Sequence, residues 1–257
     1  MIRLIASDID GTLLQNGASA IPREIFGHIR RLEEEGILFC PASGRQYASL
    51  RKLFAHVADK VPFLCENGAV VYGPGDPGPI LSKTAMDRRL SEELCRDIIA
   101  LPEAEVLISG AAVCYLCPKG PDVEDQIRWF LGNRTALLSA PEDTPEDIIK
   151  VSAYCSNGTL DKARQALFPK WEEHFRCAVA GEVWLDFTLA DKGLGVARLC
   201  EALGIGLEEV MAFGDNFNDL PMLERVGRPY IMAGAAPELL EKIPHRCRNV
   251  AEVLRTL

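Results

Sequence analysis

Residues 6–14 read ASDIDGTLL and overlap the end of the apolar run MIRLIAS at 1–7. A short apolar run of this kind reads as a buried strand. It ends in two carboxylates one residue apart, Asp8 and Asp10, with Gly11 behind them. Two acids so close, at the end of a buried strand, repel each other and lose hydration unless something positive sits between them. A bound cation answers that need. A turn with solvated acids is the plainer alternative, and the choice rests on what the rest of the chain brings to the same place.

Outward from this strand the first 70 residues alternate: strand IRLIAS, helix from Pro22 to Glu35, strand ILFCPA, helix from Arg45 to His56, strand FLCE. Pro22 and Gly36 bracket the first helix as start and stop signals do. The final 65 residues resume the rhythm with a helix at 192–203, strand EEVMAFG, a helix at 216–225, strand PYIMAG, a short helix at 237–242 and the terminal helix VAEVLRTL. Strands alternating with helices predict an α/β fold, a Rossmann-like parallel sheet with helices on both faces. The middle breaks this rhythm. After the Gly- and Pro-rich YGPGDPGP at 72–79, helices at 91–100, 122–132 and 160–173 mix with paired short strands, EVLISG with AAVCYLC and FRCAVAG with EVWLDFTL. This predicts an inserted α+β domain at 82–187, with 1–81 and 188–257 forming one discontinuous core domain.

Composition narrows the function classes. The 257-residue chain carries a net charge of −9 and no run of Lys or Arg, which argues against nucleic acid and anionic membrane as partners. No segment approaches the roughly 20 apolar residues of a membrane span, and no leader pattern opens the chain, so a cytoplasmic location is expected. The nine cysteines are odd in number and most lie in apolar runs, which reads as buried thiols in a reducing compartment. Cys114 and Cys117 form the one C-x-x-C, but a strand there places them on opposite faces. The four histidines share no spacing and read as helix-flank or surface residues.

Ligands of open α/β sheets bind beyond the carboxyl ends of the strands. Four such places carry chemistry here: DIDGTL, SGR at 43–45, DKG at 191–193 and GDNFND at 214–219. Each alone has a plain reading as turn acids, a helix cap, a surface lysine or a capped loop. All four fall at one sheet edge, and they complement one another. Asp8, Asp10, Asp215 and Asp219 are hard oxygen ligands of the kind Mg²⁺ takes. Ser43 and Gly44 open a helix where an anion is welcome, and Lys192 brings a point charge for phosphoryl oxygens.

In this order the four motifs resemble those of the haloacid dehalogenase-like hydrolase superfamily, and the insertion together with ENGA at 66–69 resembles its Cof-type sugar-phosphatase branch with a large α/β cap (type IIB). The resemblance covers essentially the whole length. It implies Asp8 as a nucleophile forming an aspartyl-phosphate and Asp10 as the acid and then base, with Ile9 turned into the core and both acids facing one ligand. It implies Mg²⁺ held by Asp8, the main-chain carbonyl of Asp10 and Asp215, with Asp219 behind them, and a phosphate contacted by Ser43, Gly44, Lys192 and Asn218. Asn67 and Gly68 stay open between a turn and a substrate contact, and Arg45 reads as solvated. Trp184 and Asp186 read as core packing and an ion pair at the end of the insertion.

The expected activity is Mg²⁺-dependent hydrolysis of small phosphorylated metabolites, sugar phosphates first. A phosphotransferase or phosphomutase with the same intermediate, and a phosphate-sensing protein without turnover, remain alternatives, and the oligomeric state stays open. A carbon–halogen hydrolase is disfavoured by the acid at position 10, and an ion pump by the absence of membrane segments. A dinucleotide oxidoreductase is disfavoured because KGLGVA lacks the third glycine and does not follow the first strand.

Overall fold

In the computed structural model, which describes every residue except 121–122, 126, 128–133, 156–157 and 181, the apolar run before Asp8 is strand β1 (Leu4–Ser7), buried throughout. The strands that follow are β2 (Leu38–Pro41), β3 (Phe63–Cys65), β4 (Val70–Tyr72), β5 (Ile80–Lys83), β6 (Ala104–Ser109), β7 (Cys114–Leu116), β8 (Thr135–Leu137), β9 (Lys150–Cys155), β10 (Arg176–Ala180), β11 (Trp184–Thr188), β12 (Val210–Gly214), β13 (Arg228–Met232) and β14 (His245–Cys247). By internal packing the chain divides into two units, one of Met1–Arg45, Leu50–Ser82 and Asp191–Leu257, the other of Gln46–Ser49 and Lys83–Ala190.

In the first unit a strand apolar on both faces finds the place such a strand requires, inside a parallel sheet covered on two sides. The order is β14-β13-β12-β1-β2, and β1 runs parallel to β12 and to β2, with Leu4 opposite Val210 and Leu38. Helix α1 (Arg23–Glu34) buries Ile25, Phe26, Ile29 and Leu32, a stripe at helical spacing. Along β2 the two faces separate: Phe39 packs with Phe54, which also meets Phe26 and Phe63. Cys40 enters the opposite cluster with Leu4, Ala6, Val196, Leu199 and Ala212. Helix α5 (Lys192–Leu203) supplies Val196 and Leu199. It opens where the Asp191 side chain accepts the amide of Leu194 at 2.7 Å and closes at Gly204 with φ +62°.

The expected helix at 45–56 is shorter, α2 (Tyr47–Leu53). Beyond it the chain tightens into three-residue turns, Val57 N to Phe54 O and Lys60 N to Val57 O, on the way to β3. The expected helix at 216–225 shrinks to α6 (Leu220–Leu223), because the Asp219 carboxylate takes the amides of Asp215 and Asn216 and holds 215–219 as a turn.

The second unit holds a six-stranded sheet ordered β10-β11-β9-β6-β7-β8, antiparallel from β10 to β7 with β7 and β8 parallel. Helices α3 (Arg88–Ala100) and α4 (Leu160–Trp171) bury Leu94, Ile98 and Leu167 against Val106, Ile108, Val151, Leu185 and Phe187. Both expected strand pairs are present, but β9, between β6 and β11, is a strand the reading of the sequence passes over, although Lys150, Ser152 and Tyr154 alternate with Val151, Ala153 and Cys155. The expected helix at 122–132 falls largely outside the described residues. Asp186 is buried with Ser152 Oγ at 2.6 Å and Lys150 Nζ at 3.5 Å, and Trp184 packs on Tyr154. Cys114 and Cys117 do face opposite clusters, and all nine cysteines are free thiols.

Candidate active site

The site starts where β1 stops. The Asp8 amide is still held by Phe213 O at 2.9 Å, an extension of the β1–β12 ladder, and Ile9 is fully buried. Alternation then leaves Asp8 facing the carboxyl edge of the sheet, 5% exposed. Gly11 turns the chain with φ +96°, and any side chain on it would run into the carboxylate of Asp215. Thr12 Oγ1 donates to Asp215 Oδ1 at 3.0 Å. The loop after β1 is thereby fitted to the loop after β12.

Lys192, the first residue of α5, is fully buried between these loops. Its Nζ donates to Asp8 Oδ1 and to Asp219 Oδ1, each at 2.5 Å. Asp219 Oδ2 accepts from the amides of Asp215 and Asn216, both at 3.0 Å, so both oxygens of Asp219 are engaged inside the protein. Asp8 differs: its Oδ2 is buried and has no hydrogen-bond partner. Asp8, Asp215 and Asp219 each bring an oxygen within 4.8 Å of the others.

Three carboxylates against one ammonium leave the cluster short of positive charge. Burial pushes the Asp8 carboxyl up to about 8, with Asp219 and Asp215 adding to the effect and Lys192 opposing it. Asp215 is raised as well, by burial first and then by Asp219. Burial disfavours the Lys192 cation, but Asp219 and Asp8 outweigh it and hold the group protonated. An orphaned buried carboxylate oxygen beside a second, partly buried carboxylate fits a small hard cation.

At the end of β2, Ser43 is buried. Its amide is taken by Leu64 O at 3.0 Å, and its hydroxyl oxygen accepts from Arg45 N at 3.2 Å, leaving the hydroxyl hydrogen for a ligand. Asp10 lies in different surroundings from Asp8. Asp10 is exposed, and Arg45 grips its carboxylate with both arms of the guanidinium, Nε at 2.8 Å and Nη2 at 2.6 Å. A planar fork matches a carboxylate in a way that solvent does not, so Arg45 is not the solvated residue its place at a helix start suggests. Asn218 is exposed, and its Nδ2 donates to Asn67 Oδ1 at 3.4 Å. Asn67, left open between a turn and a substrate contact, thus lies against Asn218, and Arg45, in the SGR motif, lies against Asp10.

The site and fold define a haloacid dehalogenase-like hydrolase: the profile of that family matches residues 5–253, and the chain belongs to it. It is 24% identical over 251 residues to the 5-amino-6-(5-phospho-D-ribitylamino)uracil phosphatase YbjI of Escherichia coli, covering 95% of this chain and 90% of the relative. It is 25% identical over 263 residues to the pyridoxal phosphate phosphatase YbhA of the same organism, with 91% and 88% covered. Among solved structures, a sugar phosphatase of the superfamily's subclass IIB shares the fold with a TM-score of 0.79 over 99% of this chain and 98% of its own, at 17% identity. The family is one of hydrolases, and both Escherichia coli relatives are named as phosphatases.

Proposed function

We propose that this protein hydrolyses phosphate monoesters of small metabolites, sugar phosphates first among them, through an aspartyl-phosphate on Asp8. The observation that carries the reading is the buried Asp8 carboxylate, anchored through Oδ1 by Lys192 and left without a partner at Oδ2. Mg²⁺ is the cation this set suits, held by Asp8, the main-chain carbonyl of Asp10 and Asp215; when bound it supplies positive charge against the oxygens of the transferring phosphate. Asp219, with both oxygens already committed, orients Lys192 and the loop after β12 instead of ligating directly.

The remaining steps belong to the chain's own groups. A carboxylate oxygen of Asp8 attacks phosphorus while the bond to the leaving alcohol breaks, and Asp10 in its acid form gives that alcohol a proton. Asp10, as the carboxylate Arg45 grips, then takes a proton from water as the water oxygen attacks phosphorus and the bond to Asp8 breaks, releasing orthophosphate. Two of the three Lys192 hydrogens are used by Asp8 and Asp219, and the third is left for a phosphate oxygen. Ser43, Gly44 and Asn218 supply further donors. We take residues 82–187 as the cap domain and 1–81 with 188–257 as the core. The free thiols suit the reducing cytoplasm. No described helix is long and apolar enough to cross a membrane, and we propose neither membrane nor nucleic acid as partner.

The test is phosphate release from a panel of sugar phosphates, nucleotides and cofactor phosphates, with and without Mg²⁺, for the native protein and Asp8→Asn. Turnover that needs Mg²⁺ and vanishes in the variant is the expected result. Native protein that releases phosphate from no ester overturns the reading.

A further inference from the structure

The turn after β3, Glu66–Asn67–Gly68, holds three consecutive residues in the left-handed region, with φ of +50°, +54° and +92°. Glycine adopts that region freely and asparagine tolerates it, but a glutamate there is unusual, and this one is 2% exposed. Backbone held in such a conformation persists only where surrounding contacts impose it. Here those contacts come from the candidate site. The amide of Glu66 donates to Arg45 O at 3.1 Å and that of Asn67 to Ser43 O at 2.9 Å. A Cβ on Gly68 would stand 2.3 Å from the Asp191 carbonyl oxygen and 3.1 Å from Gly195 Cα, at the first turn of the helix that begins with Lys192, so only glycine fits there.

The shape of the turn delivers one side chain. The Asn67 amide fills the space beside Gly44 that a side chain there would need, since a Cβ on Gly44 would stand 3.1 Å from Asn67 Nδ2 and 3.2 Å from its Oδ1. The same Oδ1 accepts from Asn218 Nδ2. Among the described residues no protein acceptor takes the Nδ2 hydrogens of Asn67. One amide therefore touches the Ser43–Gly44 loop on one side and Asn218 on the other, with two N–H donors in hand.

We propose that Asn67 is a further oxyanion-binding residue of this site: its Oδ1 holds Asn218 in place, and its Nδ2 donates to an oxygen of the phosphoryl group lying between Gly44 and Asn218. The assignment rests on the phosphatase reading for the identity of the anion. Asn67→Gly is the informative variant, because glycine accepts φ +54° without strain and deletes only the amide. Asn67→Asp also tolerates the backbone but sets a negative charge against the oxyanion.

Calorimetric titration with inorganic phosphate in Mg²⁺ buffer and steady-state kinetics on the best ester of the panel read the effect. Asn67→Gly should stay folded with a modestly lower Tm, since it also loses the contact with Asn218, while its phosphate Kd and its KM both rise about tenfold, the size expected for one lost hydrogen bond to a charged acceptor. Asn67→Asp should lose more than that. An unchanged phosphate Kd in either folded variant overturns the assignment, whatever happens to Tm, and so does native protein that binds no phosphate. Native protein that turns over no ester yet binds phosphate in an Asn67-dependent way sinks the phosphatase reading and leaves the assignment standing.

Discussion

Lys192→Met keeps the length and apolar stem of the side chain and removes its charge. In the structure that charge is fully buried and shared by Asp8 and Asp219 at 2.5 Å each. Breaking a buried pair by deleting one partner costs about 3–5 kcal/mol, most of it the penalty of the charge left behind. In a chain of this size 1 kcal/mol moves Tm by about 2–4 °C, so the expected loss is roughly 6–20 °C in metal-free buffer near pH 8. Acid should shrink the loss. Asp8 is raised to about 8 in the folded protein, and a carboxyl raised on folding contributes stability that is full below its unfolded value near 4 and is lost as pH rises through the folded value. Below the folded value Asp8 carries a proton, and removing the lysine strands one charge fewer. Differential scanning calorimetry of both proteins in chelator, at about pH 6 and about pH 8.5, reads both effects. A variant that melts within about 2 °C of the native protein at the higher pH, or whose deficit grows on acidification, would show that the ammonium is not what makes this cluster tolerable.

Two further predictions follow from the same loops. The proton on Asp8 competes with a cation for the same oxygens, so a fixed Mg²⁺ concentration should raise Tm more at about pH 8.5 than at about pH 6, and calorimetry in buffers of different ionisation heat should detect proton release; equal shifts at both pH values would remove Asp8 from the ligand set. Arg45→Lys keeps the charge but loses the two-armed grip on Asp10, and kcat/KM should fall about tenfold with the Mg²⁺-induced rise in Tm preserved; unaltered kinetics would show that the orientation of Asp10 does not depend on the fork.

Much of the fold is written in local signals. Pro22, the spacing of Ile25, Ile29 and Leu32, and Gly36 define a helix without tertiary information, and the apolar run ending at Ser7 could be satisfied only inside a covered parallel sheet. The adjacency of Asp8, Asp215 and Asp219 was legible for a related reason, because strand ends of a parallel sheet share one edge; Lys192 instead opens the helix that follows the inserted unit. What escaped depends on side chains acting on backbone at a distance. A single carboxylate, Asp219, undoes most of the helix that 216–225 suggests, and the propensities of those residues do not register it. The direction of the Asp10 carboxylate is decided by Arg45, 35 residues away. The left-handed backbone at Glu66 and Asn67 is imposed by Ser43, Arg45 and α5, so ENGA alone reads equally well as an ordinary turn.

The place of β1 in the sheet also sets a timetable for synthesis. The strand is made long before one of its partners, because it lies inside the sheet and its neighbour β12 begins at Val210, opposite Leu4. At about 5–20 residues per second a ribosome needs roughly 10–40 s to cover that gap. During that interval one edge of β1 has only the nascent chain's α/β beginning for company, while residues 83–190 emerge as an uninterrupted stretch holding all six strands of their own sheet. The inserted unit can therefore mature on the ribosome before the unit that surrounds it in sequence, and the Asp8 carboxylate meets its lysine only after the insertion has been completed.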